Sequence, residues 1–202
     1  MKADAPHTAL VDESFRRGSD GKGCFVMVAA IVPDEHHAEI TARLRTLVSP
    51  GQRRWHFRDE GPTSRRTFLA RTAELHELDV VALAFCCQTP SQRKSEQARV
   101  RCIWNLLAEL RERDGVQTVV FESRQEHNDR KDRREVIGAQ RAGVAAANLV
   151  YHHGRPKEEP LLWLADAIAG AVGTSVASHD HELAGLLPES MRQVRWIGPG
   201  TA

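Results

Sequence analysis

The chain of 202 residues carries 28 Lys and Arg against 27 Asp and Glu, so its formal net charge at pH 7 is +1. This balance excludes a protein that attracts nucleic acid through a global positive field, and any basic surface must be local. With 27% charged and 41% apolar residues, the composition is typical of a soluble globular protein. The length suits one domain with a proper core.

Neither the cysteines nor the apolar segments indicate a secreted or membrane protein. The four cysteines show no C-x-x-C spacing, which favours buried thiols over zinc ligands or disulfides. No signal peptide is expected, because Asp12 and Glu13 interrupt the first apolar residues. The apolar run Pro160–Ser178 is nearly long enough to span a bilayer, but the Asp in its middle favours a buried helix. We therefore expect a cytoplasmic protein.

The first quarter of the chain predicts a hairpin followed by a helix. Thr8–Val11 is short and apolar and runs directly into Asp12 and Glu13, which predicts a strand with two acids at its C-terminal end. Residues 16–23 are rich in Gly and polar side chains and predict the hairpin loop. Cys24–Val32 is a continuous apolar run, typical of a strand covered on both faces. Pro33 then opens a helix.

The middle of the chain predicts an irregular loop, two helices and a strand. Arg53–Gly61 mixes aromatic and charged residues and predicts no regular element. Thr63 or Ser64 is an expected N-cap for a helix through about Leu78. Val80–Cys87 predicts another buried strand, and 90–113 predicts a long helix with apolar residues at core spacing.

The last part of the chain predicts two strands and a helix before a tail. Val116–Phe121 predicts a strand that ends in Glu122, and the polar residues after it precede a short helix at Glu135–Ala142. Ala145–Tyr151 predicts a fifth strand or an extension of that helix. With the helix at 160–178, this alternation predicts one α/β domain with a mixed sheet of about five strands, a core over 8–178 and a tail over 179–202.

Asp166 is the one ionisable residue in the apolar run Pro160–Ser178. A lone carboxylate in such a helix is costly unless it is paired, protonated or bound to a cation. At helical spacing Ala165, Ala169 and Gly173 form a stripe of small residues beside it, so another backbone can come close. The simplest interpretation is that Asp166 caps a neighbouring loop or pairs with a buried Arg.

A second interpretation is that Asp166 belongs to a set of acids. Asp12 (or Glu13) and Glu122 are predicted at the carboxyl ends of strands, where open α/β sheets place their ligands. Three unpaired carboxylates that meet shift their pKa values or bind a divalent cation, and oxygen-only ligands favour Mg²⁺ or Mn²⁺. The alternative is that these acids are simply exposed or cap helices.

Basic residues and one histidine complete the candidate site. A basic group follows Glu122, and from it we select four candidate phosphate-binding residues: Arg124, Arg130, Lys131 and Arg134. A solvated loop with local ion pairs explains the same mixed-charge segment. His56, between Trp55 and Phe57, is a candidate for orienting a water or contacting a phosphate, or is a core histidine held by its aromatic neighbours.

The motifs at the two ends of the core resemble one known family. Asp12-Glu13-Ser14 after a first strand, and the later segment Leu164–Gly170, are similar to motifs of the domain-of-unknown-function 3800 family. His56 resembles the histidine that often follows the first helix of that family. The resemblance implies an RNase H-like fold and nuclease activity inferred from acids, with Asp12 and Asp166 matching two of them.

Together, the residues and the resemblance predict a metal-dependent nuclease or phosphodiesterase. Asp12, Glu122 and Asp166 would hold one or two Mg²⁺ or Mn²⁺ ions, with Glu13 and His56 in support and nucleic acid as the partner. The competing hypothesis is a non-catalytic module on the same fold that binds nucleic acid or protein. A third is a metal-dependent hydrolase of a small phosphorylated substrate.

Overall fold

A computed structural model describes residues 5–18, 21–89 and 95–198. They form a six-stranded mixed sheet in the order β5-β4-β1-β2-β3-β6. The strands are β1 His7–Arg17, β2 Gly23–Pro33, β3 Val81–Thr89, β4 Val116–Glu122, β5 Val150–Gly154 and β6 Gln193–Trp196. The α-helices are α1 His37–Arg45, α2 Pro62–Ala73, α3 Ser95–Arg111, α4 Glu126–Arg141 and α5 Leu162–Ser178.

Strand β1 lies inside the sheet and is longer than its sequence predicts. It pairs with β2 in antiparallel register from His7 opposite Pro33 to Arg17 opposite Gly23. The apolar run of β2 therefore offers a hydrogen-bonding partner to the polar second half of β1, and the strand continues through residues predicted as a loop. The prediction that Asp12 ends this strand is wrong, because Asp12 lies at its middle, opposite Val28.

The parallel register of β1 with β4 determines where the acids lie. Val11 pairs with Phe121, so Asp12 and Glu122 are the next residues on two neighbouring strands. Strand β5 runs parallel to β4 on the other side. Glu122 does end its strand, as its sequence predicts.

Helices cover both faces of the sheet, so the molecule has three layers and two apolar cores. Leu10 and Val28 pack with residues of α1, α2 and α5 on one face. Val11 and Met27 pack with α3 and α4 on the other. Because side chains alternate along a strand, Asp12 lies on the α5 face and Glu13 on the α3/α4 face.

Helix α5 confirms the prediction from the apolar run. It is buried over nearly its whole length, and small residues allow close approach by other elements. A Cβ atom on Gly170 would lie 2.2 Å from Cγ of Phe57, and one on Gly173 would lie 3.2 Å from Oγ of Ser14. The loop before α2 and strand β1 therefore both contact this helix directly.

Helix α4 and strand β5 differ from the predictions. The segment predicted as a polar stretch and a short helix is one helix, because Asp132, Val136 and Ala139 form a buried stripe at helical spacing. Strand β5 overlaps the predicted segment Ala145–Tyr151 only at its end.

Three other boundaries also differ. Helix α2 begins at Pro62 after a Gly61 N-cap, and a 3-10 helix at Glu74–Leu78 continues it. The predicted tail contributes strand β6, which pairs with β3 and was not predicted. The predicted start of α3, residues 90–94, lies outside the described residues. In the described part of the chain, no helix is both long and apolar enough to cross a membrane.

Candidate functional site

Asp12, which is buried, and Glu122, which is half-buried, form a pair of acids on the neighbouring strands β1 and β4. Asp12 is 8% exposed, and its side chain hydrogen-bonds to that of Glu122. Burial, followed by the charges of Glu122 and Asp166, raises the pKa of Asp12 well above its usual value. Burial, followed by the charge of Asp166, also raises the pKa of Glu122. We infer that the Asp12 carboxyl keeps its proton and donates it to Glu122.

Asp166 completes this electrostatic group from α5. It is 8% exposed, and its Oδ2 accepts a hydrogen bond of 2.7 Å from the backbone N–H of Phe57. Nδ1 of His56 lies 3.1 Å from the same oxygen, and this hydrogen bond raises the pKa of His56. Asp166 therefore accepts a hydrogen bond from the loop before α2, and its negative charge also acts on Asp12 and Glu122.

Three consecutive residues, Arg54, Trp55 and His56, lie with Glu122 and Asp166 around a crevice that is too narrow to hold a water molecule. The Trp55 side chain is 1% exposed, and its ring stacks on Phe68 with a centroid separation of 4.0 Å. Its indole Nε1 is buried and has no hydrogen-bond partner among the described residues. Trp55 was not predicted as a site residue. The only feature of the sequence that could have indicated it is an aromatic side chain next to charged residues.

The structure places Glu13 away from this acidic group. It lies on the α3/α4 face, where it forms ion pairs with Arg99 and, at 3.8 Å, with Arg124. The prediction that it supports Asp12 therefore fails on geometry, because neighbouring strand residues point to opposite faces.

The four predicted phosphate-binding residues are also on the far side of the sheet. Arg124 pairs with Asp132 at 2.9 Å and with Glu96 at 3.4 Å. Arg130, Lys131 and Arg134 are exposed on α4. Their sequence proximity to Glu122 does not translate into spatial proximity, because α4 packs on the opposite face from α5.

A second cluster surrounds Asp132 on that face. In the part of the chain that the structure describes, the ligand atoms of Asp129, Asp132 and His153 all lie within 4.8 Å of one another. Asp12, Glu122 and Asp166 do not form so compact a group. Sequence analysis missed this cluster, although Asp129 and Asp132 lie one helical turn apart.

Two guanidinium groups already neutralise Asp132. Arg99 donates to both of its oxygens, at 2.9 and 2.8 Å, and Arg124 donates to it as well. Burial opposes ionisation, but the hydrogen bonds from His153 and Arg99 outweigh it and hold the pKa of Asp132 well below its usual range. The cluster has ligand atoms of the types that bind metals, but cationic side chains now occupy its most buried carboxylate.

The comparison with solved structures bears on the fold. Ribonuclease H2 from Pyrococcus horikoshii OT3 superposes with a TM-score of 0.50 at 17% sequence identity, over 92% of this chain and 82% of that one. The fold is RNase H-like. No family model and no curated protein matches the chain, so the resemblance to the domain-of-unknown-function 3800 family stays a prediction. At this identity the RNase H-like similarity describes the fold and not the activity.

Proposed function

We propose that the protein is a divalent-metal-dependent nuclease or phosphodiesterase whose metal ligands are Asp12, Glu122 and Asp166. The observation that carries this proposal is the placement of the acids: Asp12 and Glu122 follow directly after the paired residues Val11 and Phe121 on neighbouring parallel strands. Burial and the charge of Asp166 raise the pKa of both, which agrees with this placement. Acids kept together at such a cost fit a site that a cation stabilises. The RNase H-like fold supports the same activity by analogy only.

The donor set suits a hard cation. Asp12, Glu122 and Asp166 offer only carboxylate oxygens. Oxygen ligands of this kind favour Mg²⁺ or Mn²⁺ over zinc, which prefers sulfur and nitrogen ligands. When bound, such a cation would polarise a phosphodiester and activate water for attack. The proton shared by Asp12 and Glu122 must leave before both can act as ligands.

Other residues of the chain would orient this site. The N–H of Phe57 fixes one oxygen of Asp166, and His56 contacts the same carboxylate. The His56 side chain is 34% exposed, so it can exchange protons with solvent while it holds Asp166 in place. Trp55 lines the crevice beside Glu122 and Asp166.

Cleavage assays test the proposal. Single-stranded, duplex and hybrid substrates are incubated with Mg²⁺ or Mn²⁺, and the wild type is compared with Asp12→Asn and Asp166→Asn. We expect metal-dependent cleavage that either substitution reduces at least about a hundredfold. Asp114→Asn, in the exposed turn before β4, is the matched control and retains activity. Equal cleavage by wild type and both site variants would reject the mechanism.

One observation favours a second candidate function. The three carboxylates are not as compact as the cluster around Asp132, and burial raises the pKa of Asp12, which disfavours the ionised form that binds a metal. A non-catalytic nucleic-acid-binding module would keep this arrangement. It predicts binding that weakens with salt and no metal-dependent turnover.

A further inference from the structure

Two guanidinium groups lie over the ring of Phe57, next to the acidic group, and a third arginine follows Phe57 in the chain. Cζ of Arg65 lies 4.6 Å from the centroid of this ring, and Cζ of Arg16 lies 5.6 Å from it. Burial, followed by the charges of Arg58 and Arg65, lowers the pKa of Arg16. Residues from β1, the loop and α2 thus bring positive charge to one place.

These arginines lack acidic partners. Within the described ranges, no carboxylate forms an ion pair with Arg16, Arg58 or Arg65. Arg65 donates to two backbone carbonyls, of Phe57 at 2.7 Å and of Arg58 at 3.2 Å. Nε of Arg16 is buried without a hydrogen-bond partner. The neighbouring Arg54 and Arg66, in contrast, pair with Asp59 and Glu182.

Strand β1 connects this basic cluster to the acidic group. Asp12, Ser14 and Arg16 alternate along the strand, so all three lie on the α5 face. The backbone positions of Asp12 and Arg16 are about 13 Å apart along the strand, and the long Arg side chain can bring its guanidinium group much closer to the acids. Phe57 also joins the two groups, because Arg16 lies over its ring while its backbone N–H donates to Asp166.

We propose that Arg16, Arg58 and Arg65 form a phosphate-binding site beside the carboxylates. A guanidinium group presents a planar fork of N–H donors that binds phosphate, and a phosphate would neutralise cations with which no carboxylate of the described residues forms an ion pair. Assigning this phosphate to a nucleic-acid strand that lies across Asp12 and Asp166 rests on the proposed function. The phosphate site itself rests only on the arginines.

An alternative explanation is that the arginines only pack against Phe57. Cation–π contacts account for Arg16 and Arg65 over the ring. They do not account for the buried Nε of Arg16 without a partner, or for Arg58, which is exposed and has no ring contact. If the arginines were purely structural, their substitution would change the stability of the protein and leave anion binding unchanged.

Binding of a short end-labelled single strand, measured by fluorescence anisotropy in EDTA, tests the phosphate site without cleavage. Arg16→Gln, Arg58→Gln and Arg65→Gln are expected to raise Kd about fivefold or more, and each to reduce the slope of log K against log salt by about 0.7. Arg133→Gln, an exposed arginine on α4, is the matched control and leaves both unchanged. Arg58→Gln removes no structural contact, so it remains informative if the other variants unfold.

A second arm uses inorganic pyrophosphate, titrated calorimetrically, to distinguish a small phosphorylated ligand from a strand. Arginine-dependent binding of the strand, of pyrophosphate or of both supports the site and identifies the source of the phosphate. Binding of neither probe, or equal losses in the Arg133→Gln control, would overturn it. Asp12→Asn is expected to keep strand binding. If the wild type binds the strand through these arginines but does not cleave it, the result rejects the proposed nuclease and leaves the phosphate site standing.

Discussion

Asp12 is a carboxyl group whose pKa is raised in the folded protein. Its pKa is raised by burial first and by Glu122 and Asp166 next, whereas in the unfolded chain it titrates near 4. The folded state therefore binds a proton that the unfolded state releases above that pH. The stabilisation from this proton is fully present below the unfolded pKa and is lost as pH rises through the folded one.

Asp12→Asn tests this linkage. An amide cannot ionise, so the variant is expected to lose part of the decline in unfolding free energy between about pH 4 and the raised pKa. At neutral pH, without metal, we expect the variant to be at least as stable as the wild type. Urea unfolding at several pH values in EDTA measures both effects. A steeper decline in the variant than in the wild type would contradict the account.

Residue polarity also explains what sequence analysis could and could not predict at the site. The acidic residues on β4 and α5 stood out because they follow or interrupt apolar runs. The residues alone left Asp12 and Glu13 as alternatives, because that choice depends on which face α5 covers, and only the family resemblance favoured Asp12. The arginines around Phe57 come from three separate segments, and only the fold brings Arg16 to the other two.

At the scale of elements, α5 and the loop before α2 depend on glycine contacts. A Cβ on Gly170 would overlap the Phe57 ring at 2.2 Å, in a core where neither element can yield easily. The loop would move away and take with it the N–H that holds Asp166. The small residues of α5 are thus a requirement of the site as well as of packing.

Gly170→Ala is expected to lower the free energy of unfolding by about 1–3 kcal/mol, even though alanine favours helix. Gly138→Ala in α4 is the matched control: its Cβ would meet Cζ2 of Trp104 at an ordinary 3.5 Å, so we expect about 0.5–1 kcal/mol of stabilisation. Denaturant unfolding of both variants measures the difference. If Gly170→Ala raised the free energy of unfolding as much as Gly138→Ala does, α5 would not pack on Phe57 as described.

The errors in element prediction have a common cause, which is tertiary contact. Strand β1 is longer than its apolar residues predict because β2 offers a full-length partner. Helix α4 includes a polar segment because Arg99 compensates the buried charge of Asp132. Local patterns predicted the long apolar elements well, since their burial is already apparent in composition.

At the scale of the whole molecule, the sheet separates two electrostatic groups. On the α5 face, His56 contacts Asp166, and among the described residues no Arg or Lys forms an ion pair with Asp12, Glu122 or Asp166. On the α3/α4 face, Glu13 and Asp132 are balanced by Arg99 and Arg124. This asymmetry assigns the candidate metal site to the first face and a structural ion-pair network to the second.

The most direct test of this assignment is Mn²⁺ binding, measured calorimetrically in two buffers of different ionisation enthalpy. We expect wild-type protein to bind Mn²⁺ with proton release and with affinity that rises with pH, because the ion displaces the proton of Asp12 and Glu122. Asp12→Asn and Asp166→Asn should lose this binding, whereas Asp129→Asn, in the second cluster, should retain it. Binding that survives Asp166→Asn and disappears in Asp129→Asn would place the metal on the opposite face and contradict the account.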